Sequence, residues 1–170
     1  MKKWIAMGVA LFALMGCRSQ YNAVTNPFGI DWNSTAGELQ VEIPDSQNGK
    51  NLGVLLEKGV PQPDFTQETV KVDYYVVFKE KKLIGIYGLF TINSEQEAVA
   101  VFNFYRQKLH QDFGNEEERP ISEKQRKTCQ EEGMCKIKGY RFMQAGLKSD
   151  LMLHKNRDGS YVVYVLYLKQ

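Results

Sequence analysis

Val70-Lys71-Val72-Asp73-Tyr74-Tyr75-Val76-Val77-Phe78, followed by Leu83-Ile84-Gly85-Ile86-Tyr87-Gly88-Leu89-Phe90-Thr91-Ile92, decides the fold class of this chain. In the first run, Val70, Val72, Tyr74, Val76 and Phe78 alternate with Lys71, Asp73, Tyr75 and Val77. A period of two puts one set on a buried face, so the run reads as a half-buried strand. Lys79 to Lys82 is a charged turn. The returning run is apolar on both faces, which places it nearer the middle of a sheet. Gly85 and Gly88 within it mark a bulge or close packing by a helix.

The next segment changes period. Ala98, Val101, Phe102, Tyr105, Leu109 and Phe113 recur at intervals of three and four, which makes one apolar helical stripe. Ser94 and Glu97 form a capping box at its start, and Gly114 is a natural C-cap. Phe104 lies off the stripe.

Further along, Lys136 to Met143 reads as a strand. Leu151 to Lys155 and Ser160 to Lys169 read as a hairpin around Asn156-Arg157-Asp158-Gly159. The last strand, Tyr161 to Leu168, is apolar on both faces and belongs in the centre of a sheet or under cover on both sides. Towards the N-terminus, Thr35 and Glu38 match a capping box for a short helix, which Pro44 limits. Asn51 to Val60 fits either a strand or a helical turn. Runs of antiparallel strands beside a helix predict an α+β fold, with one long helix on a face of a four- to five-stranded antiparallel sheet.

Residues 1–17 carry a separate message. Lys2 and Lys3 precede an apolar stretch, Trp4 to Leu14, broken only by Gly8. At about eleven residues it is shorter than the roughly 20 that a membrane-crossing helix needs. Basic, apolar and then small residues form a secretory signal. Here it ends in Leu14-Met15-Gly16-Cys17, which resembles the lipobox of bacterial lipoprotein precursors; Met15 is a less usual second residue.

That resemblance implies cleavage before Cys17, a diacylglycerol on its sulfur and usually acylation of the new amine. Two or more long chains give stable anchoring, where one gives marginal binding. It also implies an envelope location, and Arg18, standing where an Asp commonly retains lipoproteins in an inner membrane, points to an outer membrane facing the periplasm. The organisation expected is a cleaved signal over 1–16, a lipidated tether over 17–27 and one domain over 28–170.

Removing the signal changes the charge. The chain holds 22 Lys and Arg against 20 Asp and Glu, and Lys2 and Lys3 go with the signal, so the mature balance is zero. Net charge therefore gives no argument for nucleic acid. Of the three cysteines, Cys17 is the lipid site and Cys129 and Cys135 remain. Export places them in an oxidising compartment, where a close pair forms a disulfide. The only histidines, His110 and His154, have no ligand-like spacing to them, and no C-x-x-C motif occurs.

The chain contains no Gly-x-Ser-x-Gly elbow, and Gly85-Ile86-Tyr87-Gly88 lacks the lysine and helix start of a phosphate loop. Glu116, Glu117 and Glu118 read as a solvated charge run, without the alternating pattern of a calcium loop. The expectation is a non-enzyme with no cofactor and no metal. It binds the membrane through Cys17 and a protein partner through its domain. The stapled, charged excursion over residues 115–135, with Glu116, Glu117, Glu118 and Arg126, is the expected contact. A recognition face among the nine tyrosines is a further reading. The alternative role is an inhibitor, such as an immunity protein against a periplasmic toxin.

Overall fold

The computed structural model describes Val24 and residues 26–44, 51–60 and 70–170. The expected signal, Cys17 and most of the expected tether lie outside these residues. Among the described residues, seven strands form one antiparallel sheet: β1 (Leu52–Leu55), β2 (Lys71–Lys79), β3 (Lys82–Ile92), β4 (Glu117–Glu118), β5 (Cys135–Gln144), β6 (Leu147–Lys155) and β7 (Tyr161–Lys169). Two helices, α1 (Glu95–Phe113) and α2 (Glu123–Glu132), lie between β3 and β5 in the chain. The spatial order is β1-β2-β3-β7-β6-β5-β4.

The architecture is therefore α+β, as expected, but the sheet is larger by two edge strands and there is a second helix. Both extra strands are short. β1 is a four-residue piece of the ambiguous run, and β4 is two glutamates whose backbone pairs with Tyr140 and Arg141. Neither carries enough periodicity to announce itself. α2 follows Pro120 as a full helix with a complete Ser122–Gln125 capping box and a left-handed Gly133 at its end. It buries no side chain, so no apolar stripe signalled it. At the N-terminus, Thr35 and Glu38 do exchange capping bonds, at 2.7 and 3.2 Å. The chain there makes turns instead of a helix, because Gln40 takes a positive φ of 53°.

The centre of the sheet is the pairing of β3 with β7, from Gly85 opposite Leu168 to Ile92 opposite Tyr161. Inward residues of these strands, including Ile86, Phe90, Val163 and Val165, have no solvent exposure. Helix α1 lies across this inner face with Ala98, Val101, Phe102, Tyr105, Leu109 and Phe113 buried. Ser94 caps its start by accepting from the Glu97 amide, and Gly114 ends it. The Tyr161 hydroxyl donates to Glu95 at 2.8 Å, which ties the helix start to β7. Phe104, off the stripe, is 38% exposed.

One helix does not cover seven strands. At ~4.8 Å per strand the sheet is about 30 Å wide, and a helix with its side chains is about 10 Å across. The segment before β1 supplies the remaining cover. A 3-10 turn at Pro27–Gly29 puts Phe28, at φ 55°, into the core. Its ring stands 5.0 Å from Tyr74, 5.4 Å from Tyr167 and 6.0 Å from Tyr105. Gly88 makes the room: a Cβ there would lie 3.0 Å from the Phe90 ring and 3.3 Å from that of Phe28.

Phe28→Ala should destabilise the protein by about 3–5 kcal/mol, the usual cost of emptying a buried phenylalanine site. Phe104→Ala should change stability by less than about 1 kcal/mol. Urea unfolding of the two variants against the parent checks both.

Candidate functional site

The outer face of the sheet is built by the residues that alternate with the core. Across its middle runs an aromatic row. Tyr75 on β2 lies opposite Tyr87 on β3, their rings stacked at 4.8 Å with 7° between planes. Tyr164 on β7 continues the row, 5.4 Å from Tyr87. All three are half-buried. Burial, and then the neighbouring Tyr75, raises the Tyr87 phenol above its ordinary range. Burial, aided by Tyr87 and Asp150, pushes Tyr164 up to about 12. Both therefore stay neutral and present hydroxyls, not phenolates.

Beyond Tyr164 the row runs into a groove of about 700 Å³. Met152 on β6 lies opposite Tyr164, and Asp150 opposite Leu166, so the groove floor continues the tyrosine face. The floor holds Arg141, Asp150, Met152 and His154; Lys136 stands opposite His154 on β5. The wall is the segment from Glu117 through Arg119 and Pro120 into α2, with Gln125 and Thr128.

Lys136 clamps that wall to the floor. It is only 6% exposed, and its Nζ donates to the Arg119 carbonyl at 2.6 Å and the Pro120 carbonyl at 3.4 Å. Gly139 makes this path possible, because a Cβ there would lie 2.8 Å from Lys136 Cε. Burial and then Arg119 lower the ammonium's pKa, against the pull of Asp150 and Glu118. The α2 end of the wall is fastened by Cys129 and Cys135, at disulfide distance with Cα atoms 4.4 Å apart. Arg157 donates to the Glu131 carbonyl at 3.0 Å beside them.

Arg141 and Asp150, cross-strand partners, form a forked pair with bonds of 2.8 and 3.3 Å. Lys148 adds a contact to Asp150 at 3.3 Å. Burial raises the Asp150 carboxyl, but the Arg141 bonds and the Lys148 charge outweigh it and hold the group below its usual range. His154 Nδ1 is buried and, among the described residues, has no hydrogen-bond partner. Burial first, then Lys136, lowers the imidazole, so it is neutral at pH 7.

The expected contact residues do not form one patch. Glu116 is held by Arg106, whose Nε donates at 3.0 Å and whose guanidinium stacks over Tyr140 at 4.1 Å. Glu117 and Glu118 form β4, and Glu117 alone of the three lines the groove. Arg126 is exposed on α2. Lys136 and Asp150 escaped the sequence reading, and His154 was read there as a surface residue, because each looks like an ordinary polar residue at or beside a strand. The irregularity between Lys136 and Lys138, with Gly139 just beyond it, was the one available signal, and it needs the strand register to be seen.

Among the described residues, no cluster of three or more His, Cys, Asp or Glu is placed to hold a metal, and no helix is long and apolar enough to cross a membrane. Comparison with protein-family models, with curated proteins and with solved structures finds no match.

Asp150→Asn should cost about 2 kcal/mol at pH 7, the scale of a hydrogen bond to a charged group. The folded carboxyl titrates below its ordinary value near 3.8, so this stabilisation is complete above that value. It is lost as pH falls through the folded value. Urea unfolding at successive pH values should show the gap between parent and variant closing below pH 3.8.

Proposed function

We propose that this chain is a lipid-anchored envelope protein that binds a protein partner through the outer face of its sheet. The observation that carries this reading is the half-buried row of Tyr75, Tyr87 and Tyr164 on that face. Tyrosine offers large apolar area with a polar tip and is enriched at interfaces. Stacked rings standing on one another also enter a complex already ordered, which lowers the entropy lost on binding. The domain is a non-catalytic module in this reading, and it uses neither cofactor nor metal.

The anchor follows from the likeness of Leu14-Met15-Gly16-Cys17 to a lipobox. Lipid on Cys17 holds the domain at the membrane, and Arg18 favours the outer membrane and its periplasmic side. A second reading, inhibition of a periplasmic toxin, draws on α2. That helix buries no side chain, yet it is capped at both ends, which suits a surface that presents residues such as Arg126.

Cys17→Ala should abolish incorporation of labelled palmitate and move the protein out of the membrane fraction. A lipid-labelled variant would remove the anchor from this account. Tyr75→Lys should lower recovery of the partner from membranes at least tenfold while the protein stays folded by circular dichroism. Unchanged recovery would remove the tyrosine face. Arg126→Glu separates the two readings, because it weakens toxin inhibition and leaves the tyrosine contact intact.

A further inference from the structure

We infer that the groove beside the tyrosine row takes a carboxylate of the partner peptide, bound over Lys136 and His154 and between Arg119 and Lys124. The inference rests on the protein-binding reading and names the chemistry that its partner presents.

The charge inventory carries it. The carboxylates lining the groove are Glu117 and Asp150. Asp150 is already engaged by Arg141 and Lys148. Lys136 gives its ammonium to two carbonyls and to no carboxylate. An ammonium has three protons, so one remains. Among the described residues, neither Arg119 nor Lys124 forms an ion pair, though both line the same space. Among the described residues, three cations thus face the groove without a carboxylate in contact, although Asp150 and Glu118 act on Lys136 from a distance. A buried ammonium beside a second cation is costly unless an anion joins it. His154 supplies a further polar atom, Nδ1, which is buried and, among the described residues, without a partner.

The ligand's other properties follow from its surroundings. The groove's cations outnumber Glu117 and Asp150 and attract any anion, so the choice of a peptide carboxylate rests on the apolar lining. Met134 and Met152 give the groove apolar lining, and the floor leads through Tyr164 to Tyr87. A peptide carboxylate flanked by apolar residues fits that sequence of surfaces. It seats its charge in the groove and its neighbours along the tyrosines.

The test uses the lipidated full chain in detergent micelles and three fluorescent peptides of the same apolar sequence. One has a free C-terminal carboxylate, one has an internal glutamate and an amidated end, and one is amidated and neutral. Fluorescence anisotropy should show binding of one or both carboxylate peptides, at least tenfold tighter than the neutral one. The same measurement on Arg119→Gln/Lys124→Gln should lose that tenfold preference. The His154 imidazole resonances should move on binding of the carboxylate peptide.

Equal binding of the neutral peptide overturns the inference, as does a preference untouched by the double substitution. Carboxylate peptides that bind more weakly than about 1 mM also overturn it. Inorganic phosphate that displaces the carboxylate peptide at equal concentration makes the groove a general anion site and overturns the peptide assignment. In each of these cases, partner recovery that still depends on Tyr75 leaves the protein-binding reading standing. Recovery indifferent to Tyr75→Lys defeats that reading separately.

Discussion

Everything in this molecule depends on the pairing of β3 with β7. The two strands are far apart in the chain, yet Gly85 to Ile92 align without a break against Tyr161 to Leu168. Without that ladder there are two separate pieces, a β1–β2–β3 meander and a β5–β6–β7 meander. In each, the apolar strand that now lies at the centre would become an exposed edge. With it there is one continuous sheet, and the chain between β3 and β5 must cross that sheet. Helix α1 makes the crossing and buries its stripe on the way. Closing so long a loop is entropically costly, and the apolar character of both central strands offsets it.

The same pairing explains why the two faces differ. The inner face receives α1 and Phe28, which fills the space that Gly88 leaves open. Among the described residues, the outer face receives only α2 and the strand leading to it, and these cover the β5 end. What remains is a strip of side chains that alternate with the core and so cannot be polar throughout, because the central strands must be apolar on both sides. The tyrosines resolve the conflict: their rings pack on the sheet and their hydroxyls meet water. The groove arises where the covered and uncovered parts of this face meet.

The groove is assembled by local devices that carry no folding information. α2 contributes no buried side chain, so it is placed by its Ser122–Gln125 cap, by the Cys129–Cys135 pair and by the Lys136 clamp. A helix held in this way is ordered at low cost in core area. It also leaves polar side chains free to face a ligand. The forked Arg141–Asp150 pair fixes the floor beneath it, and Asp150 makes its contacts with Arg141 and Lys148, not with Lys136.

How much of this was legible in the chain follows from where each signal resides. Periods of two and of three to four, together with the Ser94 and Gly114 caps, belong to single elements, and they determined β2, β3, α1 and the last hairpin along with the α+β class. The cysteine spacing determined the Cys129–Cys135 pair, and the lipobox-like Leu14-Met15-Gly16-Cys17 determined the expectation of an anchor. The short edge strands, the polar helix α2 and the left-handed turn that replaced the expected helix after Thr35 have no such period. Tertiary contacts decided them. The groove, too, was decided by the tertiary structure, because Lys136, His154 and Asp150 become neighbours of Arg119 only through strand register. Register is set by cross-strand packing, and a single strand read alone contains no record of which residue will stand opposite.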